Sequence, residues 1–124
     1  MPDIASLPAG MQVLAAILDD PARRAALDWE FFRPGVEAAW LYRTEDGGPA
    51  AAFLRYQPGA DVPRHRHIGY EHILVLEGAQ QDEFGHYPAG TLVVNAPGSE
   101  HKVRSREGCI ALLIWERAVE MLEA

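Results

Sequence analysis

From residue 36 onward the chain is broken at short intervals by turn chemistry, and this punctuation limits the possible fold more than any other feature. The breaks are Asp46-Gly47-Gly48-Pro49, Pro58-Gly59, Gly85, Pro88-Ala89-Gly90 and Pro97-Gly98. Glycine supplies positive φ and proline a fixed φ, which is what tight turns use. Between the breaks lie VEAAWLYRT, AAAFLRYQ, YEHILVLEG, TLVVNA and CIALLIWER, with a weaker hairpin at AQQDEFGHYPAG. Short strands punctuated this regularly predict an all-β sandwich or barrel rather than alternating βαβ units.

Helix is predicted only near the N-terminus, within PAGMQVLAAILDDPARRAALDWEFF. Met11, Leu14, Ala15 and Leu18 follow an i, i+3, i+4, i+7 stripe. Asp20-Pro21 reads as the N-cap and first position of a second short helix, with Ala22, Ala25, Ala26 and Trp29 as its stripe. The expected division is a helical segment over 1–30 packed on a single barrel domain over 31–124.

Strand alternation in YEHILVLEG turns Glu71, Ile73 and Val75 to one face and His72, Leu74 and Leu76 to the other. A barrel interior covers only one of these largely apolar faces, and IALLIW is apolar throughout. The outer face therefore predicts cover by the N-terminal helices or by a second copy of the chain, as a homodimer.

The chain has 124 residues, enough to bury a core without disulfides. Its 11 basic and 18 acidic residues give a net charge of −7, which argues against nucleic acid or an anionic membrane as a main partner. The single Cys109 leaves no intrachain disulfide, and the longest uninterrupted apolar run, 109–115, is too short to span a bilayer. A soluble cytoplasmic protein is expected.

The chemistry concentrates in PGADVPRHRHIGYEHILVLEG. His65 and His67 are two apart, so on extended backbone they point to one side. Glu71 follows at the parity of Ile73 and Val75, and His101 returns after the Pro97-Gly98 turn. Three imidazoles and a carboxylate suit one divalent Zn, Fe, Mn, Ni or Co ion. Taken singly, His65 reads as well as a solvated loop residue and His101 as a turn cap; the set in register with Glu71 favours metal. His72 faces the opposite side, His86 belongs to an exposed hairpin, and Arg64 and Arg66 read as solvated charges. Asp82 and Glu83 read as hairpin residues, Tyr87 and Ser105 as candidate partners for a ligand's second ring nitrogen, and Trp115 as core. Cys109 opens an apolar strand with no basic residue set to activate it, and reads as an inert buried thiol.

Residues 59–78 run Gly59, His65-Arg66-His67, Glu71, Gly78, and this spacing resembles the first motif of the cupin superfamily at every position. Gly90, Gly98 and His101 resemble the second motif, with Ala96 where proline is usual and Ser105 where asparagine is usual. Across residues 29–117, FRPGVE, LYRT, LRYQPGADVPRHRH, ILVLEG, DEFGHYPAGT, PGSEH and GCIALLIWE together look like the ChrR-like cupin group. The resemblance implies a double-stranded β-helix (jelly-roll) barrel with His65, His67, Glu71 and His101 as metal ligands. It leaves two functional expectations, a dioxygenase-type metalloenzyme acting on a small molecule or a metal-dependent sensing module. The first thirty residues hold neither His nor Cys, so the zinc-binding anti-sigma domain of the group's namesake is not expected there, nor is a sigma factor expected as partner.

Overall fold

The computed structural model describes residues 9–123. One short helix, α1 (Pro21–Ala25), precedes ten strands: β1 (Glu30–Arg33), β2 (Val36–Tyr42), β3 (Ala50–Tyr56), β4 (Ala60–Arg66), β5 (Glu71–Asp82), β6 (Gly85–Pro88), β7 (Leu92–Asn95), β8 (Glu100–Ser105), β9 (Cys109–Trp115) and β10 (Glu120–Met121). The pairing order is β1-β2-β3-β9-β5-β8-β4-β10, with β6 and β7 also bonded to β5. Every pairing is antiparallel.

β5 closes the structure. Its first half pairs with β9 and β7, while its last four residues pair with β6 and, through Gln81, with β8. One strand thus belongs to both walls. The corner between them falls at Leu76–Gly78, where the register against β9 slips and Gly78 takes φ +68°. A Cβ at Gly78 would lie 2.0 Å from the Gly108 carbonyl oxygen, so only glycine lets the two backbones approach this closely.

Alternation fills the interior. Val36 and Ala38, Ala52, Leu54 and Tyr56, Ile73 and Val75, and Cys109, Ala111, Leu113 and Trp115 point inward from β2, β3, β5 and β9. Burial pushes the Cys109 thiol up to about 11 despite the neighbouring Ser105 and Gln80, in keeping with an inert thiol.

The N-terminal segment differs from expectation. The predicted first helix does not form over the described residues: Ala16 is left-handed at φ +56°, and its carbonyl closes a single turn by accepting from the Asp19 and Asp20 amides. Met11 and Leu18 of the expected stripe are half exposed. A short isolated helix is marginal, and tertiary contacts prevail here. Residues 1–8 of the predicted segment lie outside the described residues.

The second helix starts as read, with the Asp20 carboxylate accepting from the Ala22 amide and Pro21 in the first turn, but it stops at Ala25. Its alanines are exposed, and Arg24 is the buried residue at 3% exposure. The Arg24 guanidinium donates to the Ile17 and Leu18 carbonyls and to Glu77 on β5, and the Trp29 indole donates to the Arg24 carbonyl. The segment thereby covers Ala39 and Phe53 on the outer face of the sheet.

Beyond that cover the outer face continues as two cross-strand rows, Leu92–Leu74–Leu112 and Val94–His72–Ile114. Leu92, Val94 and Ile114 are 58%, 52% and 42% exposed, so this part of the sheet keeps an open apolar surface.

Arg24→Met should lower stability by about 2 kcal/mol, from two lost carbonyl bonds and a half-buried ion pair. Urea unfolding should show a lower midpoint with unchanged slope. Arg23→Met, which removes only an exposed contact to Asp20, should change stability by less than ~0.5 kcal/mol.

Candidate metal centre

Strand register assembles the site. On the β4/β8 ladder His65 stands directly opposite His101, so their side chains share the inner face. His67 lies one residue past β4, where its amide donates to the Ser99 carbonyl and its own carbonyl accepts from Gly98. The Pro97-Gly98 turn is thus tied to the histidine pair. Glu71 opens β5 between two partners, facing Trp115 on β9 and Asn95 on β7.

The four side chains converge. His65, His67, Glu71 and His101 are 4%, 1%, 3% and 3% exposed, and each offers one donor atom within 4.8 Å of the others. Ring centroids are 4.7 Å apart for His65–His101 and His67–His101, and 5.1 Å for His65–His67.

The outward ring nitrogens decide what the inward ones can do. Nδ1 of His65 lies 2.9 Å from the Pro63 carbonyl, and Nδ1 of His67 lies 3.0 Å from the Ser99 carbonyl and 2.9 Å from its hydroxyl. The Ser99 hydroxyl donates to Ala96, so it accepts from His67. Carbonyls only accept, which assigns the proton to Nδ1 in both rings and leaves a lone pair on Nε2 of each neutral ring. Nδ1 of His101 lies 3.1 Å from Asp82, whose side chain is 4% exposed.

Glu71 is fixed as a carboxylate. Asn95 Nδ2 donates to its Oε1 at 3.0 Å and Trp115 Nε1 donates to its Oε2. Burial pushes the Glu71 carboxyl up, but its contact with His67 and the attraction of the imidazoles in their protonated form outweigh this and hold it below the usual range. Burial chiefly holds His65 below its ordinary value, disfavouring its protonated form. Asp82 is likewise raised by burial, yet bonds from Tyr87, His101 and the Phe84 amide bring it below normal; the Tyr87 phenol is pushed up to about 12 by burial and its bond to Asp82.

This arrangement fits a bound divalent cation. His67 Nε2 lies 3.0 Å from Glu71 Oε1, so a neutral His67 sets a lone pair against a carboxylate oxygen. His101 Nε2 is buried without any hydrogen-bond partner. A cation among these atoms answers both, and the ring partners are those that orient metal-binding imidazoles.

A cavity of about 270 Å³ adjoins the cluster. His65, Glu71 and His101 form its polar end, Leu54, Ile73, Val103 and Leu113 its apolar walls, and Arg33 and Gln80 also line it.

A family model described as the ChrR cupin-like domain matches residues 20–118. The chain belongs to the ChrR cupin-like family. The anti-sigma-E factor ChrR of Cereibacter sphaeroides is 38% identical to this cupin over 87 residues, 68% of this chain and 39% of that protein. The Rhodobacter sphaeroides crystal structure of SigE in complex with the anti-sigma ChrR matches with a TM-score of 0.64 at 31% identity, over 73% of this chain and 49% of that one. This cupin therefore spans half or less of the ChrR chains it matches. The expectation that a sigma factor is not a partner runs against these two relatives, one of them solved with SigE. An acetylacetone dioxygenase from Acinetobacter johnsonii has a TM-score of 0.70 over 77% of this chain and 72% of its own, at 13% identity, which shows the shared fold alone.

All four ligand candidates read from the cupin motifs come together. His86 is exposed as expected, whereas His72, expected to be packed or interfacial on the face opposite Glu71, is exposed in the single chain. Arg64 and Arg66 form surface ion pairs with Glu83, Glu100 and Glu120. Ser105 does not serve the site: its hydroxyl donates to the Ala79 carbonyl. Tyr87 reaches it only through Asp82. Trp115, read as core, is also a donor to Glu71, and Asn95 was missed. Both would have followed from the strand register, which pairs each of them with Glu71, but register is not visible in one sequence.

Asp82→Asn in this cupin should weaken divalent-ion affinity about 10- to 100-fold, because the amide cannot hold His101 as the carboxylate does. Calorimetric titration of the metal-free chain with Zn²⁺ or Co²⁺ reads this directly.

Proposed function

We propose that this cupin binds one divalent metal ion through His65, His67, Glu71 and His101, and that the ion holds a small molecule in the adjoining cavity. The observation that carries this reading is the buried convergence of three imidazoles and a carboxylate, each imidazole with its far nitrogen already bonded. The favoured activity is that of a dioxygenase-type metalloenzyme. Four protein donors close a tetrahedral shell but leave two positions open in an octahedral one, which favours Fe, Mn or Ni over a four-coordinate Zn for catalysis. When bound, the ion would supply Lewis acidity to a chelating oxygen of the substrate.

The chain's own groups set the terms for that chemistry. Asn95 and Trp115 hold the Glu71 carboxylate in place. Asp82 orients His101 and receives the Tyr87 hydroxyl at 2.7 Å. Leu54, Ile73, Val103 and Leu113 give the cavity an apolar lining beside the cluster. Burial of His65 keeps its Nε2 lone pair free of a proton near neutral pH.

The similarity to an anti-sigma factor favours a second reading, a sensing module in which the same site responds to a ligand without turnover. The two readings share the metal and part at catalysis.

Metal analysis of untagged protein should give close to one divalent ion per chain, and His67→Ala should abolish it; unchanged occupancy in that variant rejects the ligand set. Fe(II)-loaded protein should consume oxygen with at least one member of a panel of small diketones and keto acids. Absence of uptake across the panel, with one tightly held ion, selects the sensing module.

We further propose that a second copy of the chain covers the open rows Leu92–Leu74–Leu112 and Val94–His72–Ile114, giving a homodimer. Sedimentation should report a dimer for the wild type and a monomer for Ile114→Asp. A monomeric wild type at micromolar concentration overturns the pairing.

A further inference from the structure

Among the described residues three buried side-chain nitrogens lack a hydrogen-bond partner: His101 Nε2, Arg33 Nε and Gln80 Nε2. All three residues line the same cavity. His101 is explained by the cluster, whereas Arg33 and Gln80 lie outside it. Gln80 is 2% exposed, and beside its amide nitrogen lies only the Cys109 thiol, a weak partner that leaves the donor unsatisfied. Leaving such donors unpaired costs about 1–3 kcal/mol each, more for a charged group, so their retention asks for an occupant with acceptors to offer.

Charge narrows the occupant. Among the described residues Glu71 is the sole acidic side chain lining the cavity, and Asn95, Trp115 and His67 already engage it. Arg33 forms no ion pair among the described residues, in contrast to Arg24, Arg55, Arg64 and Arg66. Its field reaches Tyr56, another lining residue. A guanidinium with an amide beside an apolar chamber matches a planar acceptor pair on a hydrocarbon body.

We propose that Arg33 and Gln80 bind the carboxylate of a small aliphatic acid, whose hydrocarbon part lies against Leu54, Ile73, Val103 and Leu113. A cavity of about 270 Å³ has room for a short acid. The single guanidinium charge matches a carboxylate monoanion rather than a phosphate dianion, and the aliphatic walls offer nothing to the hydroxyls of a sugar. Arg33 sits at the end of β1, next to an irregularity in its pairing with β2, so the residue that selects the ligand comes from a different element than those of the metal cluster. The inference deepens the small-molecule reading of this site by naming the ligand's charged end, and the carboxylate grip itself does not require the metal.

The probe is 3-methylbutanoate, with neutral 3-methylbutanamide as its uncharged counterpart, titrated calorimetrically into the full chain both metal-free and metal-loaded. The acid should bind at least about tenfold more tightly than the amide in both forms. Arg33→Gln should abolish that preference while leaving metal content at the wild-type level. Arg33→Lys, which keeps the charge, should retain part of it and guards against misfolding of the first variant. Equal binding of acid and amide to the wild type, or an undiminished preference in Arg33→Gln, overturns the inference. A chain that prefers the acid but takes up no divalent ion sinks the metal reading alone, and one that holds the ion without preferring the acid sinks this inference alone.

Discussion

A carboxylate buried inside a barrel is the constraint on which the rest depends. An isolated Glu71 at this depth would be held as the neutral acid or expelled to solvent, because an unpaired charge cannot be taken from water without a large penalty. The neighbouring imidazoles favour its charged form, and β7 and β9, which flank β5, each deliver one further donor at the right register, Asn95 from one side and Trp115 from the other. Each donor depends on correct strand pairing, so a slip of one residue on either side of β5 would turn a donor outward and leave the charge unmatched.

The same demand explains the path of β5. A strand confined to one wall could present Glu71 beside β9 and β7 but could not also bring the Asp82 carboxylate behind His101. Twelve residues with an irregularity and a glycine corner do both. The left-handed Gly78, pressed against the Gly108 carbonyl, is therefore part of the site although it touches none of the donor atoms. Fold and site have one geometric solution here, since the bend that closes the barrel also joins the carboxylate end to the histidine end.

Much of this was legible in the sequence, and the reason differs from element to element. The strands β2, β3, β5, β7 and β9 announced themselves through short apolar runs bounded by turn residues. The four candidates His65, His67, Glu71 and His101, which the structure brings together, were marked by motif spacing that resembles the cupins. β4 and β8 carry the histidines but are charged at alternate positions, as DVPRHRH and EHKVRS show, so they lack the apolar run that marks a strand. The N-terminal helix was overcalled because an Ala- and Leu-rich stretch satisfies a helical period even when a buried arginine claims its carbonyls. Arg24 is the clearest such case: the position of Glu77 on a distant strand makes its burial tolerable, and that position is not visible in the local sequence. Asn95 and Trp115 needed the register itself.

The division of labour between the centre and the edge of the barrel bears on how such a site can change. His65, His101 and Glu71 lie on strands paired on both sides, where any shift would disturb two ladders. β1 pairs only with β2, at the end of the sheet, and already carries an irregularity between Phe31 and Arg33. Substitution there alters the lining of the cavity with little consequence for the ladders that hold the imidazoles. Chains built on this barrel can thus keep one donor cluster while exchanging what faces it, which is the physical sense in which a shared fold and a shared ligand set need not imply a shared substrate.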